Sequence, residues 1–404
     1  MNSMSLFFSR GIALHGAMFI AALLVYGLYG VPTPDDFGII EIIVMFLLLG
    51  AIFWDDLAQA YFQLSCLAGG LFIPLLVGAL YGHDTGDMLR DMAAYLILFL
   101  PLFYRRSVRQ VGHLYFYLLT FVGCAFSFRT LFSYGVGLWD IHTWISGVPP
   151  DTLYLANSPE VLFTALYGIG FAGVRFIRGK YGEAALYGVL AFFPLLAMTV
   201  MMQRAGIALC AVLTAGILVH AMWICPWRAV ILLAGIGLLV WGFGATEPQI
   251  VSAFLSKNEI TGWNGRDREW GQVLSLVSQD FEHALFGLGW GGRFENPAVA
   301  GLEVNYTHAL FSSIVLKSGF VGIFILGGAG VFFAQRLGRG FSASLLLSPL
   351  TYALVFPLIL GLLLYASYKS LGFGLLILGL ALHFSGEILP NSSKKLENPA
   401  QAVP

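Results

Sequence analysis

FFPLLAMTVMMQRAGIALCAVL, Phe192–Leu213, is the stretch that decides the class of this chain. Apart from Thr199, Gln203 and Arg204 it is apolar, and no other Asp, Glu, Lys or Arg lies between Glu183 and Arg228. A hydrocarbon layer about 30 Å thick takes about 20 apolar residues to cross as a helix. The stretch therefore reads as two spans that meet near Arg204. A charge at membrane depth is costly unless it faces a partner or a polar cavity, so Arg204 is a candidate functional residue. The plain alternative is an arginine that snorkels to anchor a helix end.

Similar runs recur on both sides. The 404 residues are 58% hydrophobic and 11% charged, with a mean hydropathy of +0.81, whereas a soluble domain carries about a quarter charged residues. Runs fall at 11–30, 37–53, 58–81, 91–104, 111–134, 158–177, 184–203, 205–225, 229–245, 308–335, 344–366 and 370–389. They predict an all-α polytopic membrane protein with about twelve spans. A β-barrel is excluded, because its strands alternate in polarity instead of running continuously apolar. The first run is long and has no convincing small-residue cleavage site, so it reads as a span and not as a cleaved signal. Cys66, Cys124, Cys210 and Cys225 lie in or beside apolar runs without CxxC spacing, which supports neither a disulfide framework nor a zinc site.

Lys and Arg in short connections set orientation. Arg10, Arg105, Arg106, Arg109, Arg175, Arg178, Lys180, Arg228, Arg336, Arg339, Lys394 and Lys395 share one side under the twelve-span reading, which puts both termini in the cytoplasm. The connection Trp54–Leu57, with Asp55 and Asp56, falls on that side too, but acidic residues weigh little in this rule. The domain plan is then spans over 1–245, a long external loop over 246–307, spans over 308–390 and a cytoplasmic tail over 391–404. Aromatic-rich Gly135–Asn157 reads as an interfacial or re-entrant piece, or else as an ordered surface loop.

The long polar break, Thr246 to Gly322, is where external cations gather: Lys257, Arg266, Arg268, Arg293 and His308, with Lys317 just inside the next span. NGRDREW, Asn264–Trp270, offers two arginines suited to bidentate phosphate binding, or a local ion-pair cluster. HALFGLGWGGRF, His283–Phe294, has glycines that suit an anion-binding nest, though without the order or lysine of a P-loop. His308 opens a span reading THALFSSIVLKSGFVGIF and is a candidate base. Arg129 and Glu41 are weaker candidates, as an interfacial anchor and a helix-pairing carboxylate. No external DxD pair and no His/Asp/Glu cluster with metal-ligand spacing is present, so arginines would neutralise charge in place of a metal.

Together these features resemble the O-antigen ligase family, in a superfamily that also holds O-antigen polymerases and pilin O-oligosaccharyltransferases. Gln203-Arg204-Ala205-Gly206 resembles its arginine at the external end of a middle span. Gly265-Arg266 through Trp270, followed by Gly287-Leu288-Gly289, resembles the opening of its catalytic loop. Its His-[Asn/Ser/Gln], nine residues, Gly-x-x-[Gly/Thr/Tyr] pattern maps onto His308, Ala309, Gly319 and Gly322; Ala309 departs from it, where an amide or hydroxyl is usual. The motifs cover about 200–335.

The resemblance implies a GT-C-like architecture in the bacterial inner membrane with a periplasmic active site. It implies metal-independent, inverting transfer of a glycan from undecaprenyl pyrophosphate to a hydroxyl of lipid A–core oligosaccharide, without a cofactor. His308 would be the base, and Arg204 and Arg266 would hold the diphosphate. Arg268, Arg293 and Lys317 would assist with pyrophosphate or glycan. The lipid tail would lie in a groove between spans. A polymerase generally has basic motifs in two external loops, whereas here one loop is cationic and Gly135–Asn157 has no Lys or Arg. A protein O-oligosaccharyltransferase often adds a soluble C-terminal domain. A secondary transporter would show midplane charges in both halves.

Overall fold

The computed structural model describes residues 3–33, 38–53, 60–133, 150–246, 265–299, 301–338 and 348–385. Trp54–Leu57, most of Gly135–Asn157, Lys257 and the 391–404 tail lie outside the described residues. In chain order the helices are α1 (Ser3–Tyr29), α2 (Ile39–Gly50), α3 (Tyr61–Leu80), α4 (Thr85–Leu98), α5 (Leu100–Val111), α6 (Leu114–Ser133), α7 (Pro150–Ala156), α8 (Pro159–Ile177), α9 (Tyr181–Val200), α10 (Arg204–Ile224) and α11 (Pro226–Thr246). Then come α12 (Arg266–Val277), α13 (Phe281–Phe286), an antiparallel pair β1 (Phe294–Asn296) and β2 (Leu302–Val304), α14 (Leu310–Gly338), α15 (Pro349–Leu363) and α16 (Leu371–Phe384).

The fold is helical, with six helices among the described residues long and apolar enough to cross a membrane, consistent with a polytopic membrane protein. Shorter apolar helices include Ile39–Gly50, Pro349–Leu363 and Leu371–Phe384. The centre is built on α8 and α16, whose Phe163, Leu166, Phe373, Leu375 and Leu376 are almost wholly buried. Around them pack Phe19, Tyr115, Phe126 and Leu354 from α1, α6 and α15. Helices α10 and α11 instead present exposed Val212, Val219, Trp223, Val230 and Ile231, as faces turned to lipid would.

Three local breaks shape the site. The stretch read as one span over 91–104 is divided at Phe99, where α4 ends and α5 starts with Pro101 in its first turn. Proline lacks the N–H that would continue the ladder and disfavours helical backbone in the residue before it. Between α9 and α10, Met202 adopts φ 47°, the one non-glycine with positive φ among the described residues. That turn sets Arg204 at the first position of its helix.

The third break lies inside α14, at Gly319 (φ 56°, ψ −149°), so the span expected to run unbroken over 308–335 is kinked. The kink exposes the Leu316 and Lys317 carbonyls, which accept from the Leu288 and Gly289 amides at 2.7 and 3.0 Å. A Cβ at 319 would meet the Ala284 carbonyl oxygen and the Gly287 nitrogen at 2.7 Å. Glycine at this place in the His–Gly pattern thus has a backbone reason: the loop strand 287–289 docks onto the opened helix.

Candidate active site

Helix α12 is a one-sided helix. Glu269, Val273 and Val277, spaced by four, are buried, with Arg266 and Trp270 partly so, while Asp267 and Arg268 are exposed. A period of 3.6 residues gives this division. It turns Arg268 away from the face that carries Arg266. Gly265, which starts the helix, sits at φ 69°, and a Cβ there would lie 2.8 Å from the Pro297 carbonyl oxygen. Only glycine lets the helix begin so close to the turn after β1.

Glu269 is buried yet fully used. Its Oε1 accepts from Asn296 Nδ2 and from the His308 backbone N–H, both at 2.9 Å, and its Oε2 lies 3.1 Å from His308 Nδ1. Asn296 ends β1 and also donates to the Tyr306 carbonyl at 3.3 Å. The hairpin therefore clamps Tyr306–His308 beside α12. His308 lies two residues ahead of α14, not inside it, with its side chain 20% exposed. Ala309, the departure from the family pattern, contributes a backbone carbonyl that accepts from Thr307 and Ser312 hydroxyls at 2.9 Å.

Arg204 and Arg266 come to one place from two separate helices. The Arg266 guanidinium carbon stands 5.3 Å from the centroid of Tyr365, and Tyr365 also feels the charge of Arg204 and faces the Ala205 amide at the head of α10. Burial pulls the Arg266 guanidinium below its ordinary value; Tyr365 and Glu269 oppose this, and Arg204 adds to it by repulsion. Its Nε is buried without a hydrogen-bond partner among the described residues, as is the Gln203 Nε2 beside Arg204. Buried donors without acceptors cost about 1–3 kcal/mol each, a cost that an anionic ligand would remove. The head of a helix favours the same sign of ligand.

The other two expected cations have different roles. Lys317 is almost completely buried, 2.6 Å from Asp91 Oδ2, and donates to the Gly292 carbonyl at 2.6 Å. Lys369 reaches the other Asp91 oxygen at 3.0 Å. Arg293 is 2.6 Å from Asp87, which also takes Arg90 and Asn305 at 3.1 and 3.2 Å. A hydrogen bond and charge from Asp87 hold the Arg293 guanidinium above its ordinary value. Asp87 and Asp91, four apart on α4, thus tie the loop to the bundle.

The glycine-rich segment does not form the anion nest that its composition invites. The amides of residues 287–292 donate in turn to His283, Leu316, Lys317 and Pro74 carbonyls, to Asp91 Oδ2 and to the Gly289 carbonyl. Trp290 Nε1 donates to the Leu71 carbonyl at 2.8 Å. Every one of these donors already has an acceptor, one of them a carboxylate, which repels anions. Arg129 and Glu41 are structural as well. Arg129 donates to the Gly30 carbonyl at 2.6 Å behind α1, and Glu41 accepts from Gly38 and Val31 amides at 2.9 and 3.0 Å.

A cavity of about 310 Å³ runs between α2 (Val44, Leu48) with Ile52 just past its end and one face of α4–α5 (Ala94, Ile97, Phe103). Its walls are apolar, and Glu41, Arg90 and Lys369 stand at its polar end. Lys369 lies 5.8 Å from the Tyr306 ring centroid, and Tyr306 lies 6.0 Å from the His308 ring. Lys369 and Tyr306 thus stand between the cavity and the histidine.

Glu269, Asp91, Lys369 and Tyr365 did not emerge from the sequence as site residues. For Glu269 a signal existed: it shares the helical face of Val273 and Val277. For Asp91 it was a carboxylate in an apolar helix. Comparison with protein-family models, with curated proteins and with solved structures returns no match.

Proposed function

We propose that this chain is an O-antigen ligase, a glycosyltransferase that moves a glycan from undecaprenyl pyrophosphate to a sugar hydroxyl of lipid A–core oligosaccharide. In this reading it lies in the bacterial inner membrane with about twelve spans of GT-C-like arrangement, both termini cytoplasmic and the site periplasmic. The observation that carries the proposal is the convergence of Arg204, Arg266 and the Glu269–His308 pair around Tyr365 and the turn after β2. Diphosphate is a good leaving group once its charge is met, so the protein needs fixed cations and a base. His308 takes the proton from the acceptor hydroxyl as its oxygen bonds to the anomeric carbon. The bond to the diphosphate breaks, and Arg204 and Arg266 hold the departing charge. Attack opposite the leaving group inverts the anomeric centre. The apolar cavity supports a lipid-linked donor, whose hydrocarbon would leave water there.

The test is sugar attachment by purified protein given polyprenyl-pyrophosphate glycan and lipid A–core, with EDTA present. Transfer that persists in EDTA and disappears in Arg204→Ala and His308→Ala is the expected result. Lengthening of the polyprenyl-linked glycan without transfer to lipid A–core would make the chain a polymerase. Absence of any glycan transfer by folded protein would overturn the proposal.

A further inference from the structure

We infer that Glu269 is a positioning residue that holds His308 in the Nδ1–H tautomer, leaving Nε2 as the atom that takes the acceptor proton. The inference rests on the transfer reading for its catalytic part alone; the tautomer follows from the hydrogen bonds. A carboxylate only accepts. Both partners of Oε1 are donors, Asn296 Nδ2 and the His308 amide at 2.9 Å, and the ring nitrogen on Oε2 is Nδ1 at 3.1 Å. An ionised Glu269 therefore requires a hydrogen on Nδ1, and a neutral imidazole then has its lone pair on Nε2. When Nε2 gains the acceptor proton, the imidazolium faces a buried carboxylate that stabilises it; the proton leaves afterwards to the diphosphate or to water.

The same geometry makes Glu269→Gln an unusually informative change. The amide has the shape of the acid, but its oxygen must occupy the Oε1 position, because the two donors there would clash with an NH2. The NH2 is then forced onto the Oε2 position, where it donates to Nδ1. The histidine must move its hydrogen to Nε2, and the base is lost although every contact remains.

The experiment is nitrogen NMR of the imidazole in mildly alkaline buffer, with the His308 signal assigned from His308→Asn, together with steady-state transfer kinetics. The expected wild-type form is Nδ1–H, changing to Nε2–H in Glu269→Gln. Transfer kcat should fall about 100-fold or more while KM for both substrates stays within about twofold. Glu269→Asp, which keeps an acceptor-only group, should retain Nδ1–H and more activity than Glu269→Gln. Nε2–H in the wild type overturns the inference without any variant, as does wild-type kcat in folded Glu269→Gln. A tautomer exchange in a protein that transfers no glycan would sink the ligase proposal and leave the positioning role of Glu269 standing.

Discussion

Two cationic regions draw on one loop and the helix that follows it, the first joined by Lys369 and the second by Arg204, and they use their charge differently. At the junction with α4, Lys317 and Arg293 meet Asp91 and Asp87 at 2.6 Å, and Lys369 meets Asp91 at 3.0 Å. At the head of α10, Arg266 lies beside Arg204 and an aromatic ring, with a buried Nε that has no partner among the described residues. The first region pairs each of its cations with a buried carboxylate and so holds the loop in place. The second sets Arg266 near Arg204 with its Nε buried and unbonded among the described residues, an arrangement suited to a visiting anion. A count of cations in a loop does not separate the two; their carboxylates, on a helix some 200 residues earlier, do.

The sharpest way to break this contrast is to remove one cation from each region. Lys317→Met should lower unfolding stability by about 3 kcal/mol, the low end for a broken buried pair because Asp91 keeps Lys369, read as a lower thermal midpoint in detergent. Arg266→Met should leave that midpoint nearly unchanged and lower glycan transfer about 100-fold or more, the usual scale for one lost charge-stabilising donor. If the two variants exchanged phenotypes, the division between structural and functional cations would be wrong.

A smaller effect sharpens the junction itself. Gly319→Ala should cost about 1–3 kcal/mol from left-handed strain alone, and more from the 2.7 Å approach of the Ala284 carbonyl oxygen. It should undock residues 287–289, seen as faster amide exchange at Leu288 and Gly289. Arg293→Ala is milder: its side chain is 49% exposed, so its bridge is screened and should contribute no more than about 1 kcal/mol to the midpoint.

The least effect is expected at Asp280, which caps α13 by accepting from the His283 N–H at 2.7 Å. That hydrogen bond, with the His283 side chain, holds the carboxyl below its ordinary value. A depressed carboxyl contributes stability above the unfolded value and loses it as pH falls through the folded one. The protection factors of the α13 amides, corrected for the intrinsic pH dependence of exchange, should therefore fall on acidification in the wild type and show no such step in Asp280→Asn.

Much of this was legible along the chain. Most helix positions followed from the apolar runs, although among the described residues only six helices are long and apolar enough to cross a membrane and the 91–104 run is split at Phe99. Arg204 stood out because charge at membrane depth is expensive, and Arg266 and His308 because cations gather in the long polar break; Arg204 acts on Arg266, and Glu269, one turn on from Arg266, meets His308. Lys317 and Arg293 stood out for the same reason and turned out to be neutralised, because their partners are remote in sequence. Arg268 looked equivalent to Arg266 in NGRDREW, yet two residues turn a helix by more than half a circle and aim it outward.

The amino-acid sequence by itself determined a helical, membrane-compatible chain and the cations available for function, while the kink at Gly319 emerged only in the fold. Composition and local period suffice for the first two, since they depend on length and hydropathy. Which cation faces which carboxylate, that the 287–292 amides are occupied, and that Glu269 orients His308 were decided only by the tertiary structure. Those contacts join α4 to the loop and α12 to the turn after β2, and pairing between distant segments leaves no period in the sequence to read.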